Sequence, residues 1–535
     1  MGHSSDTVDH KHLKRVQMKY KKFLIGLLFA GLATVLHTGH ASAATITVSS
    51  GTDSIAVDST CTLSEAIQNI NNQAPTNSDC AAGDGSSDTI VLPPGTITLS
   101  ADLPTLSVPV IVQGSGTSSS LIDGGGRMVF YTNFAGAMSF HDFAVQNFGS
   151  ISGGKAFDIH TTGAAAIDMY NIEARNGADA AMRIQDVANL DLHDIYIHDN
   201  HPSDPRSQLQ ITNQVNSTVS LKRITIINNN AGIDIHNSNG TTTATVENIT
   251  LSGNQVNFGG NLASLNFGIG AIAQSTNQNA VMNLSLKNST LYNSSSTLSS
   301  PYDTYYNSSG LFFSSGVSGG ASNASGTTNI SLENNLFVSN TVNGSGASCG
   351  VQNMSLFGGT NGTLAVTSLG HNYSDDNACS SYFTDGSDRN SLNDLTTAMG
   401  SLDTSGVIPT YALLASSPAI DGGATVSGIL TDARGVARPQ CNAYDVGAYE
   451  YDDECSAING SSSSSGGSNS SGSGGGGAGS SSGSGQGGST ASSGTTAAAP
   501  YTGLSAASPL LAITFLGSGL VGYLGYKKLK KHQLI

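Results

Sequence analysis

The chain has 535 residues, with 37 Asp or Glu, 21 Lys or Arg, 65 Gly, 6 Cys and no Trp. Residues 44–502 carry 35 acids against 11 bases, a net charge of −24, because the remaining bases cluster before residue 23 and after residue 526. Such a surface repels nucleic acid and anionic membranes, which argues against both as partners, and the low charge density with abundant Gly fits a secreted β protein better than a cytosolic enzyme.

At the start of the chain, Lys11, Lys14, Arg15, Lys19, Lys21 and Lys22 precede an apolar run from Phe23 to Leu36, and Ala41-Ser42-Ala43 follows as a small-residue cleavage site. This layout predicts a signal peptide over residues 1–43, cut after Ala43. Thr62-x-x-Glu65 then forms a capping box ahead of the apolar positions Leu63, Ile67 and Ile70. It predicts a short amphipathic helix near 62–71, placed as an N-terminal cap because exposed strand edges invite aggregation. The stretch Cys61-Thr62-Leu63-Ser64-Glu65-Ala66-Ile67 resembles the Cys-Ser/Thr-Leu-Arg-Glu-Ala-Ile motif at the start of many bacterial surface β-helix proteins, with Ser64 where that motif has Arg.

The body carries a recurrent pattern of two apolar residues one apart, two more after a break, then Asn. Its copies are Met138, Phe140, Phe143, Val145, Asn147; Ile167, Met169, Ile172, Ala174, Asn176; Leu190, Leu192, Ile195, Ile197, Asn200; and Val219, Leu221, Ile224, Ile226, Asn229. Weaker copies end at Asn254, Asn293 and Asn340, and a shorter alternation (Phe157 with Ile159, Met182 with Ile184, Leu209 with Ile211, Ile233 with Ile235) falls between the strong ones. Period-two alternation marks strands with one buried face. The repeat length of 23 to 29 residues, stretching to 40 and 46 where insertions or missed coils are expected, marks a solenoid. About three short strands per repeat with no helix between them predict an all-β parallel β-helix over residues 44–340, with further coils and a closing region over 341–456. Asn suits the bends because it tolerates the left-handed conformation, and its amide can bond to an Asn stacked above it. Triplets such as those at Asn216 and Asn248 therefore read as turn and ladder residues rather than glycosylation sites.

If the apolar residues point inward, their neighbours point out. Asp158 and His160, Arg183, Asp234 and His236 then form a polar stripe on the shorter strands, while Asp168 with Tyr170 and Asp191 with His193 lie on adjacent coils of the longer ones. Stacked polar side chains on a rigid face suit a polysaccharide or host surface. Asp168 and Asp191 are also the carboxylate pair from which a glycoside hydrolase could be built. A lyase needs a basic group, for which Arg175, Arg183, Arg206 and Arg223 are the candidates. The cluster of His193, His198 and His201 with Asp194, Asp199 and Asp204 reads as a solvated loop rather than a metal site. No cofactor is implied beyond calcium at the oxygen-rich Asp385-Gly386-Ser387-Asp388-Arg389-Asn390 stretch, which lacks the EF-hand spacing. Asp432 with Arg434, and Asp445, read as structural contacts.

Six cysteines in an exported chain argue for disulfides. Pairing nearest neighbours (Cys61 with Cys80, Cys349 with Cys379, Cys441 with Cys455) is one of about 15 connectivities, favoured for its short loops. Zinc finds no Cys-x-x-Cys or close Cys-His spacing to support it. Around and after the second pair, Gly370-His371-Asn372-Tyr373-Ser374-Asp375-Asp376, Tyr411-Ala412-Leu413-Leu414, Ser417-Pro418-Ala419-Ile420-Asp421, Thr431-Asp432-Ala433-Arg434-Gly435 and Tyr444-Asp445-Val446-Gly447-Ala448-Tyr449-Glu450 follow in order. Together these are similar to the choice-of-anchor Q region, which implies the end of a right-handed, pectin lyase-like β-helix ahead of an anchoring tail.

Gly and Ser then dominate residues 457–498, a flexible linker by composition. In the final stretch, 499–535, Ala499-Pro500-Tyr501-Thr502-Gly503 precedes an apolar span over 504–526 and the lysines 527, 528, 530 and 531. This arrangement resembles the sorting signal of sortase substrates, with Ala499 in place of Leu; Pro500, Thr502 and Gly503 match the motif. The resemblance implies sortase and cell-wall peptidoglycan as partners and cleavage between Thr502 and Gly503; a plain membrane anchor through 504–526 is the other reading. Either way the body is expected at the cell surface. Three functions remain open: an adhesin-like protein binding a glycan or host surface, an anchored polysaccharide-active enzyme on the same face, and a passive stalk or coat.

Overall fold

The computed structural model describes residues 43–452, apart from 86, 152, 203–206, 259–267, 276–278, 299–306, 318–324 and 352–359. The signal peptide, the linker, the motif with Pro500, Thr502 and Gly503, the apolar span 504–526, Cys455, Asp204 and Arg206 lie outside the described residues.

One turn of the chain shows how the sequence makes a coil. In the strand Met182–His198, Met182 and Ile184, Leu190 and Leu192, and Ile195 and Ile197 are all buried, while the residues between them face outward. The backbone turns between these runs at Asp186 (φ 59°) and Asp194 (φ 58°), left-handed positions that a short polar side chain tolerates. The three runs, 182–185, 190–193 and 195–198, belong to three parallel sheets, termed lead, middle and trailing.

Register is strict. On the middle sheet Ile167 pairs with Leu190, Leu190 with Val219, Val219 with Ala244, Ala244 with Leu284 and Leu284 with Ile330. The sheet continues back to Thr45–Thr47 and forward to Thr363–Ser368. Each coil thus hydrogen-bonds to the next, and the buried apolar columns merge into one core. The chain is a parallel β-helix.

The lengthened repeats are insertions and not missing coils, since Val246 pairs directly with Leu286 and Leu286 with Leu332. Part of the added sequence builds a separate sheet of Gln255–Phe258, Ser295–Leu298, Thr341–Val342 and Ser345–Gly346.

The role expected of each bend Asn divides between neighbours. Asn147, Asn176, Asn228 and Asn293 adopt the left-handed conformation. The ladder is made instead by the buried Asn200, Asn229 and Asn254: Asn229 Oδ1 accepts from Asn200 N at 2.9 Å, and Asn254 Oδ1 from Asn229 N at 3.1 Å. Asn372 likewise accepts from Asn335 N at 3.1 Å.

Both ends of the core are closed. The helix Leu63–Asn72 carries the full capping box between Thr62 and Glu65 and buries Leu63, Ala66, Ile67 and Ile70 in the core. Ser64 donates its N–H to Asp53 Oδ1 at 2.9 Å. At the far end Tyr382 packs on Phe313 and Phe383 on Phe337, with ring centroids 5.1 and 5.6 Å apart. A disulfide from Cys61 to Cys80 clasps the capping helix between them, and one from Cys349 to Cys379 ties the far closing segment to a strand of the body. Cys441 is disulfide-bonded as well.

Residues 393–452 do not add a further coil. They fold back along the trailing sheet: Pro409 O accepts from Thr225 Oγ1 at 2.6 Å, the hydroxyls of Thr250 and Thr410 meet at 2.6 Å, and Ala448 N donates to Thr290 Oγ1 at 2.9 Å. Tyr292, Leu336, Val338 and Tyr373 on that sheet pack against Leu395, Met399, Leu413, Val446 and Tyr449. This flap covers the later coils of the trailing sheet and leaves the middle sheet open.

Candidate functional site

In-register pairing arranges the outward side chains of the middle sheet in two columns. One contains Ser139, Asp168, Asp191 and Ser220; the other contains His141, Tyr170, His193 and Lys222. Neighbouring coils stand about 4.8 Å apart, so side chains within a column touch. The His141 and Tyr170 rings stack at 4.5 Å with 6° between planes, and Tyr170 and His193 at 5.0 Å with 3°. His141 is buried at 8% exposure, while Tyr170 and His193 are half-buried.

Each imidazole is oriented by the residue after it. His141 Nδ1 lies 2.8 Å from Asp142 Oδ2, and His193 Nδ1 2.8 Å from Asp194 Oδ2. Asp142 and Asp194 sit at the left-handed bends (φ 65° and 58°), where the backbone brings the carboxylate back onto the preceding ring. Arg223 grips Asp194 with two bonds of 2.6 and 2.7 Å. Burial pushes the Asp194 pKa up, but hydrogen bonds from Arg223 and His193 outweigh it and hold the carboxyl below its ordinary value. With Nδ1–H directed at a carboxylate, the neutral ring keeps Nε2 as an acceptor.

Beside these columns runs a groove of about 680 Å³, lined among others by Ile111, Ser139, Asp168, Asp191, His193 and Ser220. Asp168 is half-buried and Asp191 exposed. Neither carboxylate accepts a hydrogen bond or forms an ion pair among the described residues. Burial raises the Asp168 pKa; His193 and His141 pull it down and Asp191 pushes it up, with a net rise. A second hollow of about 310 Å³ lies on the same sheet beside Thr243, Thr245, Asn283, Ser285, Asn329 and Ser331.

The expected stripe on the lead sheet has the expected register, Asp158 beside Arg183 and Asp234 beside Gln210, but a different role. Asp158 is 5% exposed and held by Arg183 through bonds of 2.7 and 2.6 Å, with His160 Nε2 2.9 Å from the same carboxylate. These three groups satisfy one another and offer little to a ligand. Burial drives Asp234 up to about 7 and His236 down to about 4, the latter eased slightly by a backbone bond at Gln274. The nine expected binding residues therefore split between two sheets. Asp168, Tyr170, Asp191 and His193 stand together on the middle sheet, and Asp158, His160, Arg183, Asp234 and His236 do not join them.

Other candidates resolve into structure. Arg175 bonds to Glu173 and Gln146, and Arg183 and Arg223 are each committed to an aspartate, so none of these three is positioned as the free base of a lyase. His198 faces out from the trailing sheet between Glu173 and Asp199, and His201 lies 3.5 Å from Asn230; no metal-binding group occurs among the described residues. In the Asp385–Asn390 loop, Asp385 accepts from Ser387 and Asp388 from Asn372 and Asp385 N, so these carboxylates hold their own turn. Arg434 bonds to Asp432 and Asp403 and lies 3.6 Å over the Tyr449 ring; Asp445 accepts from Asp421 N and Tyr451 N. Sequence reading missed His141 and the oriented imidazoles. The signal was present in the dipeptides His141-Asp142, His193-Asp194 and His198-Asp199, each spanning a bend.

No protein-family model matches this sequence, and no curated protein matches it. Among solved structures it is similar to the pectate lyase Pel9A, at 14% identity and a TM-score of 0.34, over 75% of this chain and 97% of that one.

Proposed function

We propose that this is an exported, surface-anchored protein whose middle-sheet groove binds a glycan. The observation that carries the reading is the groove of about 680 Å³ holding Asp168 and Asp191, which have no hydrogen-bond or ion-pair partner among the described residues, together with His193, whose ring stacks on Tyr170. A sugar chain presents hydroxyl donors and acceptors at intervals close to one residue per coil, and a rigid sheet offers matching groups at about 4.8 Å. Preorganised side chains bind without the entropy cost of ordering a loop. Anchoring rests on the signal peptide and on Pro500, Thr502 and Gly503, with display through sortase or through 504–526.

The test is binding of the full chain to an array of microbial, plant and host glycans. Asp191→Ala and His193→Ala are expected to abolish the signal; a chain that binds no glycan at all is a passive stalk or coat. A hydrolase is the second reading, favoured by the raised pKa of Asp168 beside Asp191, an arrangement suited to a general acid. Release of reducing ends, lost in Asp168→Asn, supports it; intact polysaccharide after prolonged incubation removes it.

A further inference from the structure

Resting on the reading of the groove as a glycan site, we infer that its occupant is an amino-sugar polymer with free amines, one ammonium seated between Asp168 and Asp191. The groups lining the groove that titrate are Asp168, Asp191 and His193, and no Lys or Arg lines it among the described residues. Of the cations nearby, Arg223 is committed to Asp194 through two hydrogen bonds, and Lys222 stands in the His193 column one coil further on. Other carboxylates of these coils have side-chain partners: Asp158 pairs with Arg183, Glu173 with Arg175 and His198, and Asp142 is hydrogen-bonded to His141 and Asn171. Asp168 and Asp191 are left facing each other across one coil spacing; Arg223 and the two imidazoles act on them only through space, and neither carboxylate has an ion pair of its own among the described residues.

That arrangement selects by charge. A uronate polymer would bring a third carboxylate to the pair, where at about 4 to 5 Å each like-charge contact is unfavourable. A neutral sugar offers only hydroxyls. A primary ammonium supplies three N–H donors and the missing charge, and bonds between charged partners are about twice as strong as neutral ones. The column flanking the pair, Ser139 and Ser220, and its continuation through Thr245, Ser285, Ser331 and Thr367, is hydroxylic. A repeating chain rich in hydroxyl groups matches it along its length, as a lysine-rich peptide does not.

The experiment is calorimetric titration of the full chain with glucosamine hexamer, N-acetylglucosamine hexamer, galacturonate hexamer and hexalysine. Glucosamine hexamer is expected to bind at least about tenfold more tightly than the acetylated hexamer, with no galacturonate binding. Asp168→Asn and Asp191→Asn, near-isosteric changes checked for folding by thermal unfolding, should each erase that preference. The affinity should also weaken as pH falls through the raised Asp168 pKa, in a step that Asp168→Asn removes. Equal affinity for the amine and acetylated hexamers overturns this inference and leaves the glycan site standing. Hexalysine binding as tightly as glucosamine hexamer, or calcium-dependent galacturonate binding, also overturns it. Binding of none of the four, together with a blank glycan array, removes both readings.

Discussion

Asp168 costs the fold stability, and the proposed binding role would account for its retention. Its folded pKa is raised, mainly by burial, so above its unfolded value near 3.9 the ionised carboxylate destabilises the fold. Asp168→Asn is therefore expected to stabilise the protein slightly at neutral pH, measured by chemical unfolding, while weakening ligand binding. The trailing sheet has the opposite economy. Burial lowers the His198 pKa and raises that of Glu173, but their mutual hydrogen bond, with Asp199 and Arg175, outweighs burial and shifts His198 up and Glu173 down. His198 thus adds stability that is complete below its unfolded pKa of about 6.5 and lost as pH rises through its raised folded value; Glu173 adds stability above about 4.3 that is lost on acidification. Thermal unfolding against pH should show both limbs, and His198→Gln should remove the alkaline one. That Asp168 and Asp191 share a column was legible from the repeat alone. The pairing of Asp158 with Arg183 was not, because alternation tells which side chains leave the core and not what they meet outside it.

At the scale of the element, the coil depends on its bends. Asn229 is 2% exposed and bonds to Asn200, Asn254 and the carbonyls of Ile197 and Ile227. Asn229→Ala strands several buried groups at once and is expected to cost about 2–4 kcal/mol in urea unfolding, whereas Asn230→Ala, one residue on and less buried, should cost far less. The N-terminal helix is the easier case: its capping box stood in the sequence and formed as read, and Thr62→Ala should cost about 1 kcal/mol. Sequence spacing located the bend but could not separate the left-handed Asn from the ladder Asn, because both roles fall on adjacent positions. Nor could it tell an insertion from a missed coil when 40 residues separated Val246 from Leu286; only the register does so.

At the scale of the whole molecule, the flap decides which face can work. The motifs in residues 411–450 were legible as a closing region, but not that they lie along the flank, since nothing local to them names the Thr225, Thr250 and Thr290 partners far back in the chain. A close approach is at Gly447, whose backbone has φ 100° and where a Cβ would stand 2.5 Å from Thr290 Oγ1. Gly447→Ala should lift the flap and destabilise by about 2 kcal/mol or more, with faster hydrogen exchange in the trailing sheet and none in the middle sheet. The flap covers the later coils of the trailing sheet and the lead-sheet acid Asp158 is spent on Arg183, which is why the proposed recognition is assigned to the middle sheet. The most direct test compares two isosteric variants on the same glycan ligand. Asp191→Asn should lose about tenfold or more in affinity with unchanged stability, while Asp158→Asn should lose about 2 kcal/mol of stability and keep its affinity. Affinity lost in Asp158→Asn and retained in Asp191→Asn would contradict the assignment of the site to the middle sheet.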